Sequence, residues 1–311
     1  MKFLTSLRVI FLGTAGGIPT SRRGLTAILV KRGNEQILFD CGEGTQRQMI
    51  IAGGSFHSNM KVFVTHMHGD HVLGLPGLIQ TMSLLRRDKK LEIYGPPGLR
   101  AFMECIRGTV QFGLTFPIEV REVSETGVAC EEREYLVECV PADHTIPSLA
   151  YALVEKPRSG KFYPEKAKAL GIPEGPLWGK LQHGEEIKLD DGRVIKPEEV
   201  TGPSRPGRKI VYTGDTRPCR ALTKIAWDAD LLIHEATFGD ELAERAKEDG
   251  HSTPSQAAKL AKKSKVKRLV LTHLSARYED ASMILEQGRK IFNNTIVAED
   301  LMEIEIPFSE K

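Results

Sequence analysis

The sequence predicts an α/β protein of mixed sheets covered by helices, and two observations carry that prediction. Short apolar runs closed by glycine or polar turns alternate with segments of helical spacing along most of the 311 residues. Histidines and acids recur at the ends of the apolar runs, where α/β folds place their sites.

The first third reads as strands: "LRVIFLG" (7–13), "LTAILVKRG" (25–33), "QILFDCG" (36–42) and "KVFVTH" (61–66). Residues 72–87 carry apolar residues at helical spacing. Arg86, Arg87, Lys89 and Lys90 then read as a basic helix C-terminus favoured by the dipole. "LEIYGP" reads as a strand, "GLRAFMECI" as a helix, and strands follow near 118–123, 133–140 and 148–156. Residues 156–208 break the rhythm. They hold Pro157, Pro164, Pro173, Pro176, Pro197, Pro203 and Pro206, with glycines and charges between them, and only "PEKAKAL" looks helical. So long a stretch without regular pattern reads as disordered or as a functional protrusion. Afterwards strands ("KIVYTGD", "DLLIHEAT", "VKRLVLTHLS", "NTIVAEDLMEIEI") alternate with helices near 239–249, 254–264 and 280–292.

Composition excludes several classes. The net charge of +2 rules out a chain that is basic all over, so a polyanion would be met by local patches. Five scattered cysteines without a CxxC pair point to a reducing compartment and away from a disulfide scaffold. The N-terminal run reads as a first strand rather than a signal peptide. No apolar run reaches the roughly 20 residues that a spanning helix needs. The expectation is a cytoplasmic protein.

Chemistry concentrates in "THMHGDH". Residues 66–71 hold three of the nine histidines and an aspartate, directly after an apolar strand. On an extended segment alternate residues share a face, so His66 and His68 can grip one ion. Asp70 and His71 come as the chain turns and can face a second. Four such groups pressed together without a metal would be poorly satisfied. Further ligand types sit at strand ends: His144 in "VPADHTIP", Asp215 in "VYTGDTRP", His234 and Glu235 in "LIHEATF", His251 in "DGHSTP" and His273 in "LVLTHLS". Each alone would read as an ordinary core or turn residue. Beside the cluster, the need for ligands to close two sites reverses that.

"HMHGDH" fits the HxHxDH signature of the metallo-β-lactamase fold. With "FLGTAGGIPT", "FDCGEGTQRQ", "YTGDTRP", "HEATF" and "HSTP", the chain resembles short-form tRNase Z, from about residue 7 to the last strand. The resemblance implies one domain over 1–311, a four-layer αββα sandwich, with an inserted tRNA-binding arm at 156–208. It implies two Zn2+ ions, or other divalent metals accepted by the same ligands. One would take His66, His68 and His144, the other Asp70, His71 and His273, with Asp215 between them. It implies an endonuclease that cuts precursor tRNA 3′ of the discriminator nucleotide, leaving a tRNA 3′-hydroxyl and a trailer 5′-phosphate. Asp70 would also accept the proton of the attacking water. His251, kept charged by Glu235, would protonate the leaving 3′-oxygen. A homodimer is also implied.

The arm segment offers Lys156, Arg158, Lys161, Lys166 and Lys168, and a glycine-proline tip at "GIPEGP" that includes Gly175 and Pro176. Taken alone, that charge run reads as a solvated loop. At the glycine loop the chain departs from its relatives' pattern. "PTSRRG" stands where PxKxRN is expected; Arg23 is kept, and Ser21 and Gly24 replace lysine and asparagine. That leaves discrimination against CCA-ending tRNA open. Two other classes also remain open at this stage: a hydrolase of other esters on the same fold, and an RNA-binding protein without catalysis.

Overall fold

The computed structural model describes residues 6–308. Two seven-stranded sheets form the body. The first runs in the order Glu303–Glu305, Leu7–Gly13, Ala27–Arg32, Glu35–Phe39, Asn59–Phe63, Leu91–Gly95, Ile118–Glu122. The second runs Thr295–Val297, Leu269–Thr272, Leu231–Glu235, Lys209–Tyr212, Ser148–Glu155, Tyr135–Ala142, Gly127–Glu131. Both mix parallel and antiparallel pairs.

The central strands, such as Leu7–Gly13, Leu231–Glu235 and Leu269–Thr272, are mostly apolar because both faces of the sheets are covered there, while edge strands such as Ile118–Glu122 and Gly127–Glu131 carry charges. Along Leu7–Gly13, Val9 and Phe11 enter the layer between the sheets, while Ile10 and Leu12 enter the outer layer. The inner layer joins Phe39, Phe63 and Tyr94 of the first sheet to Tyr151, Tyr212 and Ile233 of the second. Outside the first sheet pack Leu75, Leu78 and Met82 of the helix Gly74–Leu84, with Met103 of Leu99–Thr109. Outside the second pack Ala257, Ala258 and Ala261 of Pro254–Lys263, with Ile284 of Ser282–Arg289. The result is the αββα arrangement that the resemblance implied.

The chain divides into two compact units, 6–154 with 209–307, and 155–208 with residue 308. The second is not irregular, contrary to its composition. It folds as three short helices, Pro164–Ala169, Pro176–Gln182 and Pro197–Val200, and a two-stranded ribbon of Ile187–Lys188 with Val194–Ile195. Each helix starts on a proline, whose missing N–H costs nothing in the first turn. Ala167, Ile172, Leu181, Ile187, Ile195 and Val200 form its own core.

Other details differ from expectation. The span read as one helix over 72–87 is two, Gly69–Val72 and Gly74–Leu84. The helices Thr45–Ile51 and Arg220–Ile225 and the strand Gly127–Glu131 were not anticipated. Arg87 is no exposed dipole partner. Its guanidinium is buried and donates to the carbonyls of Phe56, Ser58 and Lys90. Among the described residues no helix is long and apolar enough to cross a membrane.

Candidate metal centre

Strand ends deliver the side chains. The strand Asn59–Phe63 leads through Thr65 to His66 and His68, and the short helix Gly69–Val72 supplies Asp70 and His71. The neighbouring sheet supplies Asp215 just after Lys209–Tyr212 and His273 just after Leu269–Thr272. His273 has a left-handed backbone (φ 58°), which costs on the order of 1–3 kcal/mol for a non-glycine residue and is tolerated where a site demands it. His144 and His251 come from loops.

The sequence-predicted ligands converge in two groups. His66, His68, His144 and Asp215 form one, and Asp70, His71 and His273 the other, with the ligand atoms of each group within 4.8 Å of one another. In the first, His68 Nδ1 lies 3.0 Å from His66 Nε2 and 3.2 Å from His144 Nε2. In the second, His273 Nε2 lies 3.3 Å from both His71 Nε2 and Asp70 Oδ2. Asp215 touches both groups: Oδ2 is 3.6 Å from His66 Nε2 and 3.5 Å from His71 Nε2, and Oδ1 is 3.3 Å from His273 Nε2.

Most of these histidines are turned inward by a partner behind them. The Nδ1 of His66 faces the Thr65 hydroxyl at 2.9 Å, that of His71 faces Asp40 Oδ2 at 2.7 Å, and that of His144 faces the Gly250 carbonyl at 2.7 Å. The Nδ1 of His273 faces the Thr237 hydroxyl at 2.8 Å. With these four Nδ1 atoms engaged outward, their Nε2 atoms face one another, His68 Nδ1 and the carboxylates across the centre, an arrangement that a cation between them relieves.

The electrostatics agree. Burial, helped by His71, pushes the His66 imidazole well below its ordinary range, and burial likewise lowers His68 and His144. Neutral imidazole is the ligating form. Burial disfavours charge on Asp215 too, yet His273 and His71 outweigh it and hold the carboxylate ionised. His71 goes up: burial opposes its charge, but Asp215 and Asp40 win. A cation at Nε2 would take the place of that proton. Asp215 Oδ1 is buried with no hydrogen-bond partner. This orphaned acceptor and the imidazole–carboxylate donor set fit divalent metal ions.

Beside the two groups, His251 Nδ1 lies 2.9 Å from Glu235 Oε1 and 3.9 Å from Asp215 Oδ2. Burial lowers the His251 imidazole, but Glu235 outweighs it and pushes it up to about 9. Glu235 is buried and held low despite that burial, chiefly by His251. Its carboxylate accepts from the Thr216 and Thr237 amides at 2.9 and 3.1 Å. His234, its strand neighbour, belongs to neither group of ligands, because alternate strand positions face opposite ways.

Sequence reasoning missed Asp40, which is fully buried at a positive φ of 57°. Besides His71 it accepts from the Thr65 amide and hydroxyl (2.7 and 2.9 Å) and the Tyr212 hydroxyl (2.8 Å). A lone acid between an apolar strand and Cys41-Gly42 was the available signal. Arg23 donates from Nη1 to Thr14 Oγ1 and the Ala298 carbonyl. Within the smaller unit, Arg158 lies over the Phe308 ring, Lys168 pairs with Glu174 at 2.8 Å, and Lys166 sits over Tyr163. Lys161, Gly175 and Pro176 are exposed and Lys156 is half-buried.

Comparison with known proteins agrees with this geometry. The "Beta-lactamase superfamily domain" matches residues 197–274, and the family "Anti-Pycsar protein Apyc1" matches 7–154. Ribonuclease Z of Methanosarcina acetivorans is 51% identical over 303 residues, covering 97% of this chain and 99% of its own length. Ribonuclease Z of Haloferax volcanii is 48% identical over 307 residues, covering 98% and 96%. Among solved structures, the short form of human tRNase Z superposes with a TM-score of 0.72 at 32% identity, over 97% of this chain and 100% of that one. Near-complete coverage at about half identity, on a metallo-β-lactamase fold that brings the HxHxDH histidines together, places this chain in the ribonuclease Z family.

Proposed function

We propose that the chain is a zinc-dependent endoribonuclease that cuts precursor tRNA 3′ of the discriminator nucleotide, leaving a tRNA 3′-hydroxyl and a trailer 5′-phosphate. The observation that carries this is the placement of the Glu235–His251 pair against Asp215, whose oxygens lie 3.3–3.6 Å from histidine nitrogens of both ligand groups. His66, His68 and His144 would hold one Zn2+, and Asp70, His71 and His273 the other, with Asp215 shared. Ions so held supply Lewis-acid activation of water and neutralise charge on the reacting phosphate.

The chain's own residues do the rest. Asp70, ionised and edging the centre, accepts the proton of the attacking water. His251 is held by Glu235 at Nδ1, which leaves Nε2–H to protonate the leaving 3′-oxygen. His251→Ala should therefore keep both metals and lose about 10²–10⁴-fold in turnover; full turnover on precursor tRNA would sink the acid assignment. Glu235→Gln removes the group that raises His251. A protonated donor is lost as pH rises through its pKa, so the falling basic limb of the kcat profile should move to lower pH by about one unit or more. An unmoved limb would contradict the pairing.

In this reading residues 156–208 are the tRNA-binding arm, with Lys156, Arg158, Lys161, Lys166 and Lys168 toward phosphates and Gly175-Pro176 at the tip. Arg23 contacts the tRNA 3′ end from the glycine loop. A cytoplasmic homodimer completes the reading. Ile50, Ile51, Leu84 and Leu85, exposed at the ends of two neighbouring helices, support contact with a second copy. Mapping the cut in a labelled precursor tRNA tests the reading: a single cut after the discriminator with a 3′-hydroxyl supports it, and scattered cuts or a cyclic phosphate overturn it.

A further inference from the structure

We infer that the glycine loop 13–24 positions the Asp70–His71–His273 half of the centre and is itself held in place by a brace of Thr14, Arg23 and Asp300, an inference that rests on the two-metal reading above. The loop touches two ligands of that half. The Gly17 amide donates to Asp70 Oδ2 at 2.9 Å, from a left-handed φ of 71°. Gly16 lies so close to the His273 ring that an added Cβ would sit 2.6 Å from Nδ1 and 2.9 Å from the His273 carbonyl oxygen. Ala15 and Gly16 also pair in parallel with Leu274 and Ser275, and the Leu274 amide donates to the Thr14 carbonyl at 3.0 Å.

From Gly17 to Arg22 the loop is exposed, and its own bonds are local turns, from the Ile18 amide to the Gly16 carbonyl and from the Thr20 amide to the Arg23 carbonyl, both 2.8 Å. What fixes it lies at its base. The Thr14 hydroxyl donates to Asp300 Oδ1 at 2.7 Å and accepts from Arg23 Nη1 at 2.7 Å. The Gly24 amide and Gln48 Nε2 donate to Asp300 Oδ2 at 2.7 and 3.0 Å, and Gln48 Nε2 also reaches the Leu12 carbonyl at 2.9 Å. Arg23 Nη1 donates onward to the Ala298 carbonyl at 2.6 Å. Ala298 and Asp300 belong to the crossing between Thr295–Val297 of one sheet and Glu303–Glu305 of the other, an anchor set by both sheets. Thr14 is the linking member: it is fully buried, binds both charged partners, and stands two residues from Gly16. These residues are positioning residues, because none of them is itself a ligand.

The test is competitive titration of the whole chain with zinc against a chromogenic chelator, and with cobalt to read the ligand-field bands of each site. Wild type should take up two equivalents. Thr14→Val keeps shape and removes the hydroxyl. It should leave one site unchanged and weaken the other by about 10–100-fold, the range typical of lost supporting contacts behind metal ligands. Thr14→Ser should restore wild-type binding, and Gly16→Ala should reproduce the loss by direct contact with His273. Asp300→Ala should behave as Thr14→Val, with melting of the metal-free chains run alongside to separate positioning from folding. Unchanged affinity at both sites in Thr14→Val, equal weakening of both, or a Thr14→Ser chain as weak as the valine variant would overturn the brace. A wild-type chain that takes up fewer than two equivalents would overturn the two-metal reading first, and the brace with it.

Discussion

Asp215→Ala is expected to lose bound metal from both sites and turnover with it. Its two oxygens stand within 3.3–3.6 Å of nitrogens from His66 in one group and His71 and His273 in the other, so its loss touches both. Removing it takes away the negative charge that balances both groups. What remains is histidines with only Asp70, at the edge of one group. Loss of Lewis-acid stabilisation of several kcal/mol corresponds to on the order of 10³-fold or more in rate. Metal analysis of the purified variant beside single-turnover cleavage checks this. Two equivalents retained with a normal rate would remove Asp215 from the centre.

The second large effect is substrate-dependent. Deleting about residues 160–200 should leave hydrolysis of a small phosphodiester near wild type and lower kcat/KM on precursor tRNA by on the order of 100-fold or more, since several phosphate contacts go at once. The unit is suited to such an excision. Its hydrophobic core is its own, and its two strands of entry and exit are tied together at the base. Glu155 and Arg208 form a buried two-point ion pair with contacts of 2.7 and 2.8 Å, and the Arg158 and Arg205 backbones exchange hydrogen bonds of 2.8 and 2.9 Å. Equal loss on both substrates would mean that the segment supports the fold rather than the RNA.

The parts of this site that were legible in the sequence share one property: they are dense or repeated. Residues 66–71 put four ligand-type residues, three histidines and an aspartate, in six positions, and Asp215 and His273 repeat the pattern of an apolar strand closing on threonine or Thr-Gly. The structure supplies a reason for one of those threonines: Thr65 backs His66 and binds Asp40. The supporting groups were not legible, because their partners are remote in the chain. Asp40 meets His71 across 31 positions and Asp300 meets Thr14 across 286. The fold of 155–208 was hidden by composition: prolines that look like breakers stand at helix starts. The helix Thr45–Ile51 begins on a left-handed Gly44 with no side-chain cap, so it carried no start signal. Arg87 looked like a surface charge because its acceptors are backbone carbonyls, which sequence does not display.

The central claim, a two-metal centre that cuts precursor tRNA, is tested most directly by titrating the chelated chain with zinc while following cleavage of a precursor tRNA. The account predicts no cleavage without metal and activity that reaches its plateau only near two equivalents. Cleavage at the full rate by the chelated, metal-free chain would contradict it.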